Sequence, residues 1–571
     1  MPGVTGVTGP VPTLGITTQL HAERGTIVKD KHVHKPWHRV IALALGLVLL
    51  TAACGSDDGS KSGDDASGDE TTTTAGQEPK GTPVKGGELV FGTESDVATL
   101  DVGAAAQPAD KVITLGIYDP LTTYQDGKVV PYLAESIESA GDDLATWNMT
   151  LRSGVTFHDG TPLNADAVVK HFTRLQDPVT ACPCLDTVKI IQSMETPDGP
   201  EGLKVVFKLA TPSVAFADTL AGSSGYIESP TAVAKYGADY KNNPVGTGPF
   251  ALAEYVPGDR VVLKAYPGYW QKDENGIQLP YLDKLTIKPI PDGGQRLSAL
   301  EAGNIDIFQT AVSGDIAQAE SKGFAAQKIS GSSSTILLMN NAKPPFDDVK
   351  ARQAVAYAIN KDAINERVYS GVRVPSYSGF ALDSAYYNED AGTPKYDPEK
   401  AKALVDELGG LKFSLVCIPT PEADAILQLI KQMGEQVGME ITLETQEQGA
   451  FVNRIFSKAG DYEAACFRST HFIEPDAIRP GLTTGDAGNL VFYSNKEVDK
   501  LLDEARQTAD FDTRKEKYDK VQEITGEEVP LLTTLYDLFG NVYDGDKVGP
   551  PPPGEANSLG AIKPGLLYAV G

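Results

Sequence analysis

The sequence predicts an α/β fold of more than one lobe, and three observations lead there. The chain has 571 residues, whereas a single hydrophobic core stops growing at roughly 250–300 residues. Apolar residues make up 41% and charged residues 22% of it, the balance of a folded globular protein. The stretch from Phe413 to Arg468 reads strand, helix, strand, helix, strand. That order predicts a parallel sheet with right-handed crossovers, and such open sheets bind ligands beyond the carboxyl ends of their strands. Those ends fall at Ile418-Pro419, Thr445-Gln446 and Arg468–His471.

Within that unit, Phe413–Cys417 is a short buried-type strand. Ile426, Leu429, Ile430, Met433 and Val437 fall on one helical face until Gly438 breaks it. Met439, Ile441 and Leu443 alternate with Glu440, Thr442 and Glu444, a second helix covers about Ala450 to Lys458, and Tyr462–Phe467 forms the third strand. If the third strand lies beside the first, Cys417 and Cys466 face each other as a disulfide candidate. Upstream, strand signals open at Gly87–Gly92 and recur at Thr146–Leu151, Lys204–Leu209, Arg260–Tyr266, Lys284–Pro289 and Thr335–Asn340. Asp348 caps a helix running from Val349 towards Ile359. Asp397-Pro398-Glu399 opens another with an acceptor cap, a first-turn proline and an acid at the positive end.

The amino terminus is a targeting segment. Lys29, Lys31, Lys35 and Arg39 precede the apolar run Val40–Leu50, then Thr51-Ala52-Ala53 and Cys54. The run is shorter than the ~20 residues that span a bilayer, and its flanks are those of a secretory signal. Cysteine directly after small residues resembles a bacterial lipobox, which implies lipidation of Cys54 and cleavage before it. Thr51 departs from the leucine usual at that position. The preceding 28 residues are long for such a signal and place the true start near Val28. Residues 55–86 hold almost no large apolar side chains and read as a flexible tether.

The formal net charge of -27 excludes nucleic acid as a partner, because phosphates need a basic face. Of seven histidines, only His158, His171 and His471 follow Cys54. No metal-ligand spacing, nucleophile elbow or phosphate loop appears, so neither a metal, a cofactor nor an enzyme activity is expected. Cys182-Pro-Cys184 is either a small-ring disulfide, two thiols, or paired elsewhere.

Several stretches in order resemble the family 5 extracellular solute-binding proteins, the peptide/nickel/oligopeptide group. They are Pro131–Ser136 followed by Trp147–Asp166, Asn243–Phe250 with Tyr266–Trp270, Asn340–Asp348 with Ala354–Asn360, and Tyr493–Asn495. The resemblance implies a periplasmic-binding-protein-like two-lobed α/β fold with an extra inserted domain and mixed and parallel sheets. Domain I would be discontinuous (87–123, 230–308 and 531–571), domain II would span 124–229 and domain III 309–530. It further implies a monomeric, lipid-anchored receptor outside the cytoplasmic membrane. That receptor captures a solute in an interdomain cleft and delivers it to an ABC permease and ATPase. Sensory or chaperone-like use of the scaffold stays open.

In peptide binders of this group an acidic residue meets the ligand's ammonium four positions before the proline of an acidic-Pro-acidic motif. Here the motif is Glu474-Pro475-Asp476 and the matching position is His471; Arg468 stands where tryptophan is common. Both departures suit a carboxylate, phosphate or sugar hydroxyl better than an ammonium. The expected ligand is therefore a peptide first, then an anionic or sugar-bearing solute. Nickel fits poorly with so few histidines. Tyr118, Asn340, Asn341, Phe467, Arg468, Thr470 and His471 are the residues expected in the cleft.

Overall fold

A computed structural model describes residues 82–570 except 106–107, 126, 181, 458–459, 472 and 552–560. Cys54, the targeting segment and nearly all of the tether lie outside the described residues. In chain order, β1 (Glu88–Thr93) is followed by the hairpin β2 (Thr122–Gln125) and β3 (Lys128–Pro131). Then come β4 (Ala134–Ser139), β5 (Thr146–Leu151), β6 (Ile191–Glu195) and β7 (Lys204–Leu209), which form an antiparallel sheet in the order β4-β5-β7-β6. The helix Ala165–Gln176 covers it, started by Asn164, whose Oδ1 accepts the Ala167 N–H at 3.0 Å. Trp147, Phe172, Phe207 and Phe216 fill the core beneath.

The remaining strands are β8 (Phe250–Val256), β9 (Arg260–Ala265), β10 (Lys284–Pro289), β11 (Ile307–Thr310), β12 (Ala325–Met339), β13 (Leu411–Cys417), β14 (Met439–Thr445), β15 (Ala464–Thr470) and β16 (Leu531–Tyr543). With β1 they build one mixed sheet in the order β14-β13-β15-β12-β16-β11-β1-β10-β9-β8. Two long neighbours, β12 and β16, join its halves. The first part of β12 lies against the end of β16, which also pairs with β11; the last part of β12 lies against β15. The register between β12 and β16 shifts around Ser330–Ile336. Gly331 sits there at φ +92°, a conformation that suits glycine and lets the extra residue of a bulge bend the strand.

Sequence and structure agree closely on the parallel unit. β13 pairs in parallel with both β14 and β15, and helix Pro421–Gln436 connects the first two strands. Both faces of this half are covered. Leu337 and Met339 enter one core with Phe413 and Leu415, while Ile336 and Leu338 enter the other with Val416 and Ala465. A strand buried on both sides reads as an unbroken apolar run, which is why Ile336–Met339 lacks alternation. β12 starts ten residues before the expected Thr335, at Ala325. Its first part carries no pattern of its own and takes its strand form from pairing with β16. β15 extends to Thr470, so Arg468 and Thr470 are strand residues rather than loop residues. Cys417 and Cys466, one step beyond the Val416↔Ala465 pair, are joined as a disulfide, as are Cys182 and Cys184.

Candidate functional site

The carboxyl end of β15 organises the site. Antiparallel pairing sets Arg468 opposite Thr335, Ser469 opposite Ser334 and Thr470 opposite Ser333. Arg468 is about half exposed, and its Nε lies 3.0 Å from Oδ2 of Asp537, whose side chain is fully buried. Asp537 also pairs with Nη1 of buried Arg373 at 3.0 Å and accepts the Ser333 hydroxyl at 2.6 Å. One carboxylate thus serves two guanidinium groups. It fixes Arg468 through Nε, and the Arg468 terminal nitrogens make no hydrogen bond among the described residues. A planar fork held in this way suits bidentate recognition of a carboxylate.

His471 follows directly and is buried. Its Nδ1 lies 2.6 Å from the Gly379 carbonyl, which only accepts, so Nδ1 carries the proton. Nε2 then accepts from the Ser334 hydroxyl at 2.7 Å. Burial holds the ring below the ordinary histidine pKa, in keeping with this neutral form. Beside it opens a cavity of about 160 Å3, walled by Thr470, His471, Gly379, Phe380, Ile478 and Leu482 among others. A dry cavity of about 150 Å3 accepts a benzene-sized body, so this one has room for a single apolar side chain. Several polar groups in its wall are already bonded: Gln522 accepts from the Ser378 hydroxyl and donates to the Tyr386 carbonyl, and the Thr525 and Thr533 hydroxyls donate to the Val521 and Ser376 carbonyls.

The small-sheet region reaches the β13 half near this point. The Val214 N–H donates to the Arg506 carbonyl at 2.9 Å. Asp218, next to Tyr124, is pushed up to about 7 by burial and then by the neighbouring Glu474. Glu474 itself is held by both terminal nitrogens of Arg514.

Comparison with known proteins decides the family. The family described as bacterial extracellular solute-binding proteins, family 5, matches residues 128–489, more than half of the chain. This chain belongs to that family. It is a substrate-binding protein of an ABC importer, acting outside the cytoplasm, in a family whose members bind solutes rather than transform them. The glutathione-binding protein GsiB of Escherichia coli K12 is 28% identical over 477 residues, covering 81% of this chain and 91% of that protein. The solved structure of AgaA from A. tumefaciens R10, in complex with agropinic acid, is 26% identical with a TM-score of 0.73 and covers 85% of this chain and 99% of that one. The oligopeptide-binding protein AppA of Bacillus subtilis, solved with a nonapeptide, shares the fold at 22% identity and a TM-score of 0.71, covering 86% of this chain and all of that one. Among the described residues of this solute-binding protein, no helix is long and apolar enough to cross a membrane.

Of the residues expected in the cleft, Thr470 and His471 line the cavity and Arg468 stands on the same strand. Phe467 is half-buried and packs on Phe456 at 6.0 Å between ring centroids. Three expectations are corrected. Tyr118 is a core residue: its hydroxyl meets the Leu100 carbonyl and the Tyr240 hydroxyl, each at 3.0 Å, and only 1% of it is exposed. Asn340 donates to the Gly460 and Tyr462 carbonyls and accepts from the Ala342 N–H. Asn341 donates to the Met339, Val491 and Pro530 carbonyls. Both asparagines tie the end of β12 to neighbouring loops; this spends both ends of the Asn340 amide and the amino group of Asn341, whose Oδ1 is buried without a partner among the described residues. His471 is corrected in role: with both nitrogens engaged, it offers a ligand its ring edge and no charge.

The sequence reading missed Asp537, Arg373, Ser334 and the wall formed by Gly379, Phe380 and Ile478–Leu482. A signal existed for Asp537, the one acid inside the apolar run Leu531–Tyr543. A lone carboxylate in a fully buried strand requires a cationic partner.

Proposed function

We propose that this protein is a receptor anchored through a lipid on Cys54 that captures short peptides in a cleft and hands them to a membrane permease and its ATPase. Domains I (87–123, 230–308, 531–571) and II (124–229) would close against domain III (309–530), with differential contacts to the ligand driving closure. The observation that carries the reading is the pairing of an apolar side-chain cavity with an arginine held by a buried acid on one strand. The cavity accepts an apolar side chain, and Arg468 meets a carboxylate of the same ligand. The neutral His471 provides no anion for an ammonium group, so selection here rests on the carboxylate. Relatives named for binding glutathione, itself a tripeptide with free carboxylates, support this class.

Native mass spectrometry of the freshly purified protein tests it, followed by calorimetric titration with glutathione and with short peptides carrying one apolar residue. A co-purified peptide and saturable binding are expected, and Arg468→Gln should weaken binding about 10- to 100-fold, the worth of one charge-assisted pair. A bare mass with no binding of any peptide would overturn the reading.

A further inference from the structure

A second pocket shares no lining residue with the cavity beside His471. It has a volume of about 580 Å3 and is lined by the β2–β3 hairpin, Tyr132, Arg152, Trp270–Lys272 and Lys563. That volume is within the ~300–1,000 Å3 of small-molecule sites. Among its described lining residues none is a carboxylate and three are cations, Arg152, Lys272 and Lys563; the buried Asp119 lies behind Trp270 and interacts with Lys563. In a chain of net charge -27 this is a local reversal of sign.

The cations are positioned rather than loose. The Arg152 Nε–H donates to the Tyr132 carbonyl, and its guanidinium lies over the Trp270 ring at 5.1 Å. Lys563 lies 3.4 Å from the Thr123 hydroxyl and 5.8 Å from the Tyr132 ring centroid. Trp270 is held by its Nε1–H to Asp119 at 3.0 Å, and the Tyr132 hydroxyl donates to Gln271 at 2.7 Å. Arg152 is half-buried, and among the described residues neither Arg152 nor Lys272 is paired with a carboxylate. A guanidinium without a carboxylate partner in a partly desolvated wall, with a second cation on the rim, favours an anion from solution. Aromatic walls add a surface for a flat or apolar body.

We infer that this pocket is a second binding site, for a small organic anion. Its carboxylate or phosphate is held by Arg152, Lys272 and Lys563, and its body rests against Tyr124, Tyr132 and Trp270. Binding there is independent of peptide capture beside His471.

Phenyl phosphate titrated calorimetrically into the full-length protein is the probe, with benzyl alcohol as its uncharged counterpart. Saturable binding of phenyl phosphate alone is expected, weakened by about 0.5 M salt. Arg152→Gln should lower the affinity about tenfold or more. Lys272→Ala should lower it about two- to threefold, as an exposed charge does; because Lys272 is exposed, this variant keeps the test valid if Arg152→Gln fails to fold. No saturable binding, equal binding of benzyl alcohol, or unchanged affinity in the folded variants would overturn the inference. Displacement of phenyl phosphate by a peptide that depends on Arg468 would overturn it too, because the two sites would then be one.

Discussion

Two arginines, one near the apolar cavity and one in the wall of the second pocket, behave differently in this molecule. Arg468 at the end of β15 is paired with Asp537 through one edge, whereas Arg152 beside Trp270 is oriented by a carbonyl and a ring and pairs with no acid among the described residues. A cation that already shares a buried carboxylate can be aimed at a ligand without demanding one. A cation without a balancing acid, in a partly buried wall, favours an anion from solution. The cavity near Arg468 is mostly apolar and Gln522, Thr525 and Thr533 in its wall are already hydrogen-bonded, so shape governs there. In the pocket at Arg152, charge governs.

The largest expected effect comes from removing the balance. Asp537→Ala leaves buried Arg373 with only the longer carboxylate contact to half-exposed Glu422 at 3.6 Å and should destabilise the fold by about 3–5 kcal/mol, read by chemical denaturation. Asp537→Asn, which keeps one acceptor, should cost less. An unchanged midpoint for Asp537→Ala would mean that Arg373 finds relief elsewhere and that the contrast between the two arginines is unsound.

Acid separates the two regions next. In the β1 half, burial pushes His158 down to about 4. Its Nε2–H donates to the Gly248 carbonyl at 2.9 Å, and Nδ1 accepts the Gly246 N–H at 3.4 Å. An unfolded histidine takes a proton near pH ~6.5. The stabilisation is therefore whole above that pH and is lost as pH falls through it towards 4, about 3 kcal/mol in all. Asp119 works in the opposite sense, since burial pushes it up to about 6; its charge costs stability above that pH, and the cost is relieved on acidification. Comparing wild type with His158→Gln isolates the histidine. Denaturation curves at about pH 7 and pH 4.5 should show a smaller acid loss in the variant, and equal losses would remove His158 from the account.

A smaller and more local effect should follow from filling the apolar cavity. A Cβ at Gly481 meets nothing within 4 Å, and Gly481 lines the cavity. Gly481→Leu should fold normally and weaken peptide binding at least about tenfold while leaving phenyl phosphate binding at Arg152 untouched. Loss of both would show that the two pockets communicate, and loss of neither would place the peptide elsewhere.

Much of the fold was legible because local patterns repeat over short distances. The helix from Pro398 starts as read, with Asp397 accepting the Lys400 N–H at 3.0 Å. The helix from Val349 starts likewise under Asp348, and β5, β7 and β10 fall where the β-rich runs predicted. Of the residues expected in the cleft, Arg468, Thr470 and His471 are the ones that fall together at one strand end beside the cavity, the place to which the strand-end rule for parallel sheets points. Tyr118, Asn340 and Asn341 went astray because an aromatic or an amide looks the same in sequence whether its polar atom faces a ligand or a neighbouring carbonyl.

What the sequence determined by itself is about half of the strands, several helix starts, the parallel order around Cys417 and Cys466, and the family to which these stretches belong. Side-chain period and capping chemistry act within a few residues of the chain, so they can be read along it. Only the tertiary structure decided that Asp537 meets Arg373 across 164 residues and that Ser334 meets His471 across 137. Those pairings settle which charge is spent and which is free, and they form only when distant strands come to lie side by side in one sheet.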